Sequence, residues 1–174
     1  MTDTTAPAKP AAAPLVLEQV RPDLVGAAAS RIPELIEKAC RFSGGRFAPD
    51  TVLAACSGQH PFLKWQMWLV FDPKADAASF GKAVKVMVVT NIARYPTGIR
   101  VAEVILIAGR GDSSEWMQYI DALKDWARAQ ECERIQFIGR RGFQRKLGPA
   151  WREVSTMYEF DLKEPDDGQH QQRH

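Results

Sequence analysis

The sequence has 174 residues, of which 45% are hydrophobic and 25% charged, and its formal net charge is +2. This composition is typical of a soluble globular protein, and the length allows one domain with a hydrophobic core but not two ordinary domains. The small net charge excludes nucleic-acid or membrane binding driven by the overall charge of the protein. The longest apolar runs hold about eight residues, far fewer than a bilayer-spanning helix needs, and no signal-peptide pattern opens the chain, so we expect a cytoplasmic protein.

Residues 1–14 are rich in Ala, Pro and Thr and nearly free of large apolar side chains, so we expect this segment to be disordered. Residues 163–174 are polar throughout and are predicted to form a flexible tail. These limits predict one domain over residues 15–162.

The first half of the domain alternates between apolar strand patterns and amphipathic helix patterns. It is predicted to contain, in order, strand Leu15–Val20, helix Arg31–Phe42, helix Pro49–Cys56, strand Trp65–Phe71 and strand Ala83–Ile92. The first of these helices has an apolar face at i, i+3, i+4, i+7 and i+8 spacing, formed by Ile32, Leu35, Ile36, Ala39 and Cys40. Ser43-Gly-Gly45 is a stop signal for that helix.

The second half begins with Tyr95-Pro-Thr-Gly98, a hairpin turn signal between two β-branched runs. The predicted elements that follow are a strand from Ile99 to Ala108, helix Ser113–Glu131, strand Arg134–Ile138, a short basic helix over 140–147 and strand Glu153–Leu162. The whole order is β-α-α-β-β-β-α-β-α-β. It predicts an α/β domain with a mixed, mostly antiparallel sheet flanked by helices.

The three cysteines, Cys40, Cys56 and Cys132, are an odd count without the spacing of metal ligands. We therefore expect reduced and mostly buried thiols. The three histidines are spaced no better, since one lies in a Gly-Gln-His-Pro turn and two in the tail, so we expect no metal site.

The turn from Gly109 to Asp112 joins a buried strand to the longest helix, and such a helix start can bind phosphate on its free backbone amides. Asp112 and Glu115, however, also form a capping-box pattern that satisfies those amides from within the helix. Two carboxylates beside a pyrophosphate would repel it by about 1–4 kcal/mol per close pair. A phosphate cradle and a self-capped helix therefore both remain open.

The order of elements resembles the GNAT N-acyltransferase fold, in which two helices and three antiparallel strands precede the main helix. The strongest local match is 126–135, Trp-Ala-Arg-Ala-Gln-Glu-Cys-Glu-Arg-Ile, which is similar to the family's helix end, polar turn and next strand. Residues 138–143, Ile-Gly-Arg-Arg-Gly-Phe, with Trp151-Arg-Glu-Val, resemble small GNAT-like proteins of tailed bacteriophages. The resemblance covers nearly all of 15–162.

The resemblance implies acetyl-CoA as cofactor, bound where the family motif Arg/Gln-x-x-Gly-x-Gly/Ala cradles the pyrophosphate. The residues that would bind it are Arg110, Gly111, Asp112, Ser113 and Ser114, with Arg145 as an additional base. The first two match the opening of the motif, whereas Ser114 and Glu115 stand where the family has glycine.

Two residues are candidates for catalysis. Glu103 interrupts an apolar strand at a position where several acetyltransferases place the general base for an amine, and Val101 and Ile105 flank it on its own face. Alternatively, that face is partly solvated, or Glu103 pairs with Arg100 or Lys85. 

Tyr158, the only tyrosine of the last strand, is the candidate acid for the leaving thiolate. The family's usual acid lies near the short helix, where this chain has Phe143. A packed strand aromatic is the alternative interpretation of Tyr158.

Five bases lie close together near the end of the domain: Arg140, Arg141, Arg145, Lys146 and Arg152. They could bind a coenzyme phosphate, nucleic acid or an acidic protein, or form a solvated surface. Three functions therefore compete. The first is transfer of an acyl group from acyl-CoA to an amine, the second a catalytically degenerate GNAT-fold phage protein acting in the virion or its assembly, and the third a nucleic-acid-associated module. A homo-oligomer is compatible with each.

Overall fold

The computed structural model describes residues 15–111, 119–137 and 149–152. The chain divides into two compact units, residues 1–140 and 141–174. In the second unit the described part is a turn at Pro149 and Ala150, followed by a half-buried Trp151 and an exposed Arg152. No helix among the described residues is long and apolar enough to cross a membrane.

The described strands of the first unit are β1 (Val16–Gln19), β2 (Trp65–Phe71), β3 (Val84–Arg94), β4 (Arg100–Gly109) and β5 (Arg134–Phe137). The described α-helices are α1 (Val25–Ala29), α2 (Pro33–Phe42), α3 (Pro49–Cys56), α4 (Phe80–Ala83) and α5 (Ile120–Ala129), and a 3₁₀ turn at Pro22–Leu24 precedes α1.

The five strands form one sheet in the order β1-β2-β3-β4-β5. The first four strands pair antiparallel, and β5 pairs parallel with β4. The hairpin between β3 and β4 is closed by hydrogen bonds between Tyr95 and Ile99 and between Gly98 and Tyr95. Gly98 has φ 86°, a left-handed conformation that glycine adopts without strain. The predicted mixed and mostly antiparallel sheet is confirmed.

One face of the sheet, here called the α2 face, packs against α1, α2 and α3. The predicted apolar face of α2 is buried as a whole, and its core partners on the sheet include Met67, Met87, Val89 and Leu106. On the opposite face, here called the α5 face, Trp68 packs edge-on against Trp126 with ring centroids 5.1 Å apart. Thr90 is fully buried there, where it accepts a hydrogen bond from Trp68 Nε1 and donates one to Gln66 Oε1.

A bulge interrupts the pairing of β3 with β4. Val89 pairs with Leu106 and Thr90 with Val104, so Ile105 is an extra residue on β4. Because side chains alternate along β3, the residues opposite Val89 and Asn91 point to the same face. The bulge therefore puts Glu103, opposite Asn91, on the α2 face together with Leu106.

The sequence analysis missed α1 with its 3₁₀ turn and α4, each of five residues or fewer. Segments this short do not complete the periodicity that identifies a helix. Strand β3 also runs to Arg94 rather than ending at Ile92. The first residues of the predicted helix Ser113–Glu131, the short basic helix and the last strand lie outside the described residues.

Gly81 provides a test of the packing between α4 and the chain before α2. A Cβ at this position would overlap the backbone carbonyl of Arg31, whereas a Cβ at Gly26 in α1 would meet no atom within 4 Å. We expect Gly81→Ala to lower the free energy of unfolding by about 1–3 kcal/mol. Gly26→Ala, the matched control, is expected to be neutral or stabilising by up to about 1 kcal/mol. Urea denaturation of both variants measures this, and equal effects would contradict the packing described.

Candidate active site

A row of polar side chains crosses three neighbouring strands on the α2 face. The register places Asn91 of β3 opposite Glu103 of β4, and Glu103 opposite Gln136 of β5. Asn91 Nδ2 donates to Glu103 Oε2 at 3.0 Å, and Gln136 Nε2 donates to Glu103 Oε1 at 3.1 Å. All three residues are half-buried. The carboxylate is therefore bracketed by one neutral amide from each adjacent strand.

Tyr95 extends this row towards solvent. It lies in the turn between β3 and β4, is 43% exposed, and its hydroxyl accepts a hydrogen bond of 3.1 Å from Gln136 Nε2. The amide of Gln136 thus uses its two hydrogens on two different partners, Tyr95 Oη and Glu103 Oε1. We call Asn91, Glu103, Gln136 and Tyr95 the polar row.

Trp65 of β2 continues the row on its other side. It pairs in register with Asn91, is 7% exposed, and packs edge-on against Phe47 with ring centroids 5.1 Å apart. Val101, on the same face as Glu103, is also buried. The polar row is therefore bordered by apolar side chains, which reduce the water around the carboxylate and strengthen its interactions.

Neither partner suggested for Glu103 by the sequence analysis is the one observed. Arg100 makes an ion pair of 3.0 Å with Glu131 instead. Lys85 lies six residues from Asn91 along β3, roughly 20 Å away at the rise of a strand. Within the described part of the chain, no cation pairs with Glu103. Among the residues that the structure describes, this half-buried carboxylate has hydrogen-bond donors but no counter-ion.

The far end of β4 is braced to the helical layer. The Arg110 guanidinium pairs with Glu34 of α2 and donates to the carbonyl oxygens of Gly81 and Val84, the latter at 2.8 Å. Lys38 of α2 donates to the carbonyl oxygen of Gly109 at 2.6 Å. Burial lowers the pKa of Arg110, but an arginine remains protonated at neutral pH. The charged guanidinium of Arg110 thus already interacts with Glu34 and with two backbone carbonyl oxygens.

Gly111 directly follows this brace and is exposed, with φ 72°. A left-handed glycine allows a ligand to approach the backbone closely. Of the predicted cofactor residues, Gly111 therefore has a geometry suited to the role, whereas the Arg110 side chain is engaged elsewhere. The remaining predicted site residues lie outside the described residues: Asp112, Ser113, Ser114, Arg145 and Tyr158. So do Arg140, Arg141 and Lys146 of the basic cluster.

The buried cysteines are poor nucleophiles. Cys40 and Cys56 are buried free thiols, and Cys132 is a partly buried one, as the sequence analysis expected. Burial raises the pKa of the Cys56 thiol to about 12 and also raises the pKa of Cys40. Because the thiolate is the nucleophilic form, neither buried thiol is reactive at neutral pH.

The sequence analysis singled out Glu103 as a candidate, but it did not single out Asn91, Gln136 and Tyr95, which the structure places in the same row. A usable signal was present, because Asn91 and Gln136 are each polar residues inside an otherwise apolar strand run. What the sequence lacked was the register that puts these two amides on either side of Glu103.

The brace at Arg110 yields a prediction. Arg110→Met keeps the side-chain volume but removes the donors to Gly81 and Val84, so we expect the free energy of unfolding to fall by about 2–3 kcal/mol. Glu34→Gln is the control. Because Glu34 is 55% exposed, its ion pair contributes at most about 1 kcal/mol. Thermal and urea denaturation test this. If Arg110→Met leaves stability unchanged and weakens only acetyl-CoA binding, Arg110 is a cofactor ligand rather than a brace.

Comparison with solved structures identifies the fold. No protein-family model matches the chain, and no curated protein matches its sequence. An aminoglycoside acetyltransferase from an uncultured soil metagenomic sample superposes with a TM-score of 0.60 at 12% identity, covering 86% of this chain and 97% of that one. An aminoglycoside N-acetyltransferase in complex with CoA gives 0.57 at 13% identity, covering 88% and 99%.

A ribosomal-protein-alanine N-acetyltransferase from Brucella melitensis biovar Abortus 2308 gives a TM-score of 0.53 at 13% identity, covering 84% of this chain and 99% of that chain. The names of the first two proteins specify an aminoglycoside as the acceptor, and the name of the third specifies a ribosomal-protein alanine. At such low identity the likeness establishes the architecture. The chain therefore has the GNAT acetyltransferase fold, as its order of elements predicted.

Proposed function

We propose that this chain is an acyl-CoA-dependent N-acyltransferase in which Glu103 is the general base. The observation that supports the proposal is the half-buried Glu103 carboxylate, which receives an amide donor on each oxygen and has no cationic partner among the described residues. A partly desolvated carboxylate without a counter-ion favours a cationic or proton-donating ligand, which replaces its lost hydration. An amine is such a ligand.

Acyl-CoA would supply the acyl group as an activated thioester. Glu103 takes the proton that the amine nitrogen loses as this nitrogen forms its bond to the acyl carbon. Tyr158 is proposed to protonate the leaving sulfur. Because burial keeps Cys40 and Cys56 protonated, neither offers a route through an acyl-cysteine, which favours direct transfer to the amine.

The described residues fit the coenzyme in part. The exposed, left-handed Gly111 can accept a close approach of the pyrophosphate, and we propose that the backbone amides of 111–114 bind it and that Arg145 supplies an additional positive charge. The Arg110 side chain does not fit as a phosphate ligand, because its guanidinium already faces Glu34 and two carbonyl oxygens.

Acetyl-CoA binding is the first test of the proposed function. At a hundred times its dissociation constant, acetyl-CoA should stabilise the protein by about 2.7 kcal/mol, which raises the melting temperature by roughly 5–10 °C. A thermal-shift titration with ATP at equal concentrations is the control for nonspecific phosphate binding. A melting curve that does not respond to millimolar acetyl-CoA, or responds equally to ATP, contradicts the proposal.

Replacement of Glu103 is the second test. We expect Glu103→Gln to lower kcat by about 10²- to 10⁴-fold while leaving the KM for acetyl-CoA unchanged, because it removes the proton acceptor alone. Thiol release is measured with a panel of primary amines: a polyamine, an aminoglycoside and a peptide with an N-terminal alanine. Glu18→Gln, which changes an exposed carboxylate on β1, is the matched control. Full activity of Glu103→Gln would exclude the proposed base.

The internal engagement of Arg110 favours a second candidate, a GNAT-fold protein that has lost catalysis. We then propose a role in a phage virion or its assembly. This candidate requires that acetyl-CoA neither stabilises the protein nor is consumed by it. The nucleic-acid proposal rests on the basic cluster, of which Arg152 is described and exposed. It requires DNA binding that weakens steeply with salt and is lost when Arg140, Arg141 and Arg145 are neutralised.

A further inference from the structure

We propose that Asn91 and Gln136 are positioning residues that hold the Glu103 carboxylate in one orientation for the acceptor amine. This inference rests on the proposed acyltransferase function. It adds two residues to the site, and both act through Glu103 rather than on the substrate.

The positioning follows from where the two donors come from. The Asn91 amide reaches Oε2 from β3, and the Gln136 amide reaches Oε1 from β5, on the opposite side of β4. Rotation of the carboxylate would break one of these hydrogen bonds or both. A glutamate side chain otherwise samples several rotamers. Two fixed donors reduce its conformational entropy before the substrate binds, so that this entropy is not lost again in each turnover.

Tyr95 holds the Gln136 amide in turn. The second hydrogen of Gln136 Nε2 points to Tyr95 Oη, and the backbone of Tyr95 is fixed by its hydrogen bonds with Ile99 and Gly98 in the hairpin turn. The hydrogen-bonded series therefore runs from a backbone turn, through two neutral side chains, to the carboxylate. Neutral donors orient Glu103 without adding a charge that would compete with the amine.

The effect on catalysis comes from geometry. A base must lie within hydrogen-bond reach of the proton that it removes, and a displacement of about 1 Å can cost about 100-fold in rate. Without the hydrogen bonds from Asn91 and Gln136, Glu103 would still be able to accept a proton, but it would spend less time in the productive orientation. The loss should therefore be seen in kcat, and binding of acetyl-CoA should be unaffected.

A double-mutant cycle tests the inference. Gln136→Leu and Asn91→Leu are each made in the wild type and in a Glu103→Ala background, with Gln19→Leu on the exposed part of β1 as the control. Assays with a primary amine are run at about pH 9–10, where more of the amine is already deprotonated and Glu103→Ala keeps measurable turnover. We expect each leucine variant to lower kcat by about 10- to 100-fold in the wild type, with an unchanged KM for acetyl-CoA.

In the Glu103→Ala background the same two substitutions should change kcat by less than about twofold, because the residue that they orient is gone. Equal losses in both backgrounds, or wild-type kcat in both leucine variants, overturn the inference while the proposed function stands. If the wild type transfers no acetyl group to any amine of the panel, the proposed function fails and this inference fails with it. Two independent positions keep the test decisive if one variant does not fold.

Discussion

Strand β4 is the constraint on which the rest of the structure depends, because it pairs antiparallel with β3 on one side and parallel with β5 on the other. A strand in this position has both edges hydrogen-bonded, so its register is determined twice. Glu103 lies in the middle of this doubly paired segment. Its two amide neighbours are consequently supplied by strands that reach it through different connections, a hairpin from β3 and a chain segment containing α5 before β5.

The same strand links the two chemically distinct ends of the candidate site. At one end the polar row surrounds a carboxylate, and at the other end Arg110 and Lys38 attach the last residues of β4 to the helical layer. Lys38 neutralises the partial negative charge of a strand-end carbonyl, and Arg110 satisfies two more carbonyls next to α4. Both cationic side chains therefore donate hydrogen bonds to backbone oxygens. The anchoring of this end therefore owes less to the exposed Glu34 carboxylate than to hydrogen bonds from charged donors.

Much of the fold could be predicted from periodicity and turn residues. The predicted buried face of α2 and the predicted bounds of α3 and β2 agree with the structure, because each element is long enough to show its pattern. The turn at Tyr95–Gly98 was predicted correctly because proline and glycine mark it. The candidate site was harder. Glu103 stood out as a charge in an apolar strand, but its contacts with Asn91 and Gln136 depend on pairing between segments 12 and 33 residues away. Arg110 shows the opposite difficulty. Its match to a phosphate motif was visible in the sequence, whereas its engagement with α2 and α4 depended on tertiary packing.

The bulge at Ile105 has a consequence for how this strand can change. Glu103 and Leu106 are three positions apart, a spacing that in a regular strand places two side chains on opposite faces. Only the additional residue brings the carboxylate and the core leucine to the same side. A one-residue deletion between them would remove Val104 or Ile105 and keep both strand segments, yet would turn either the carboxylate or the core residues away from the α2 face. A change of length within 103–106 would therefore leave either the core or the candidate site unformed.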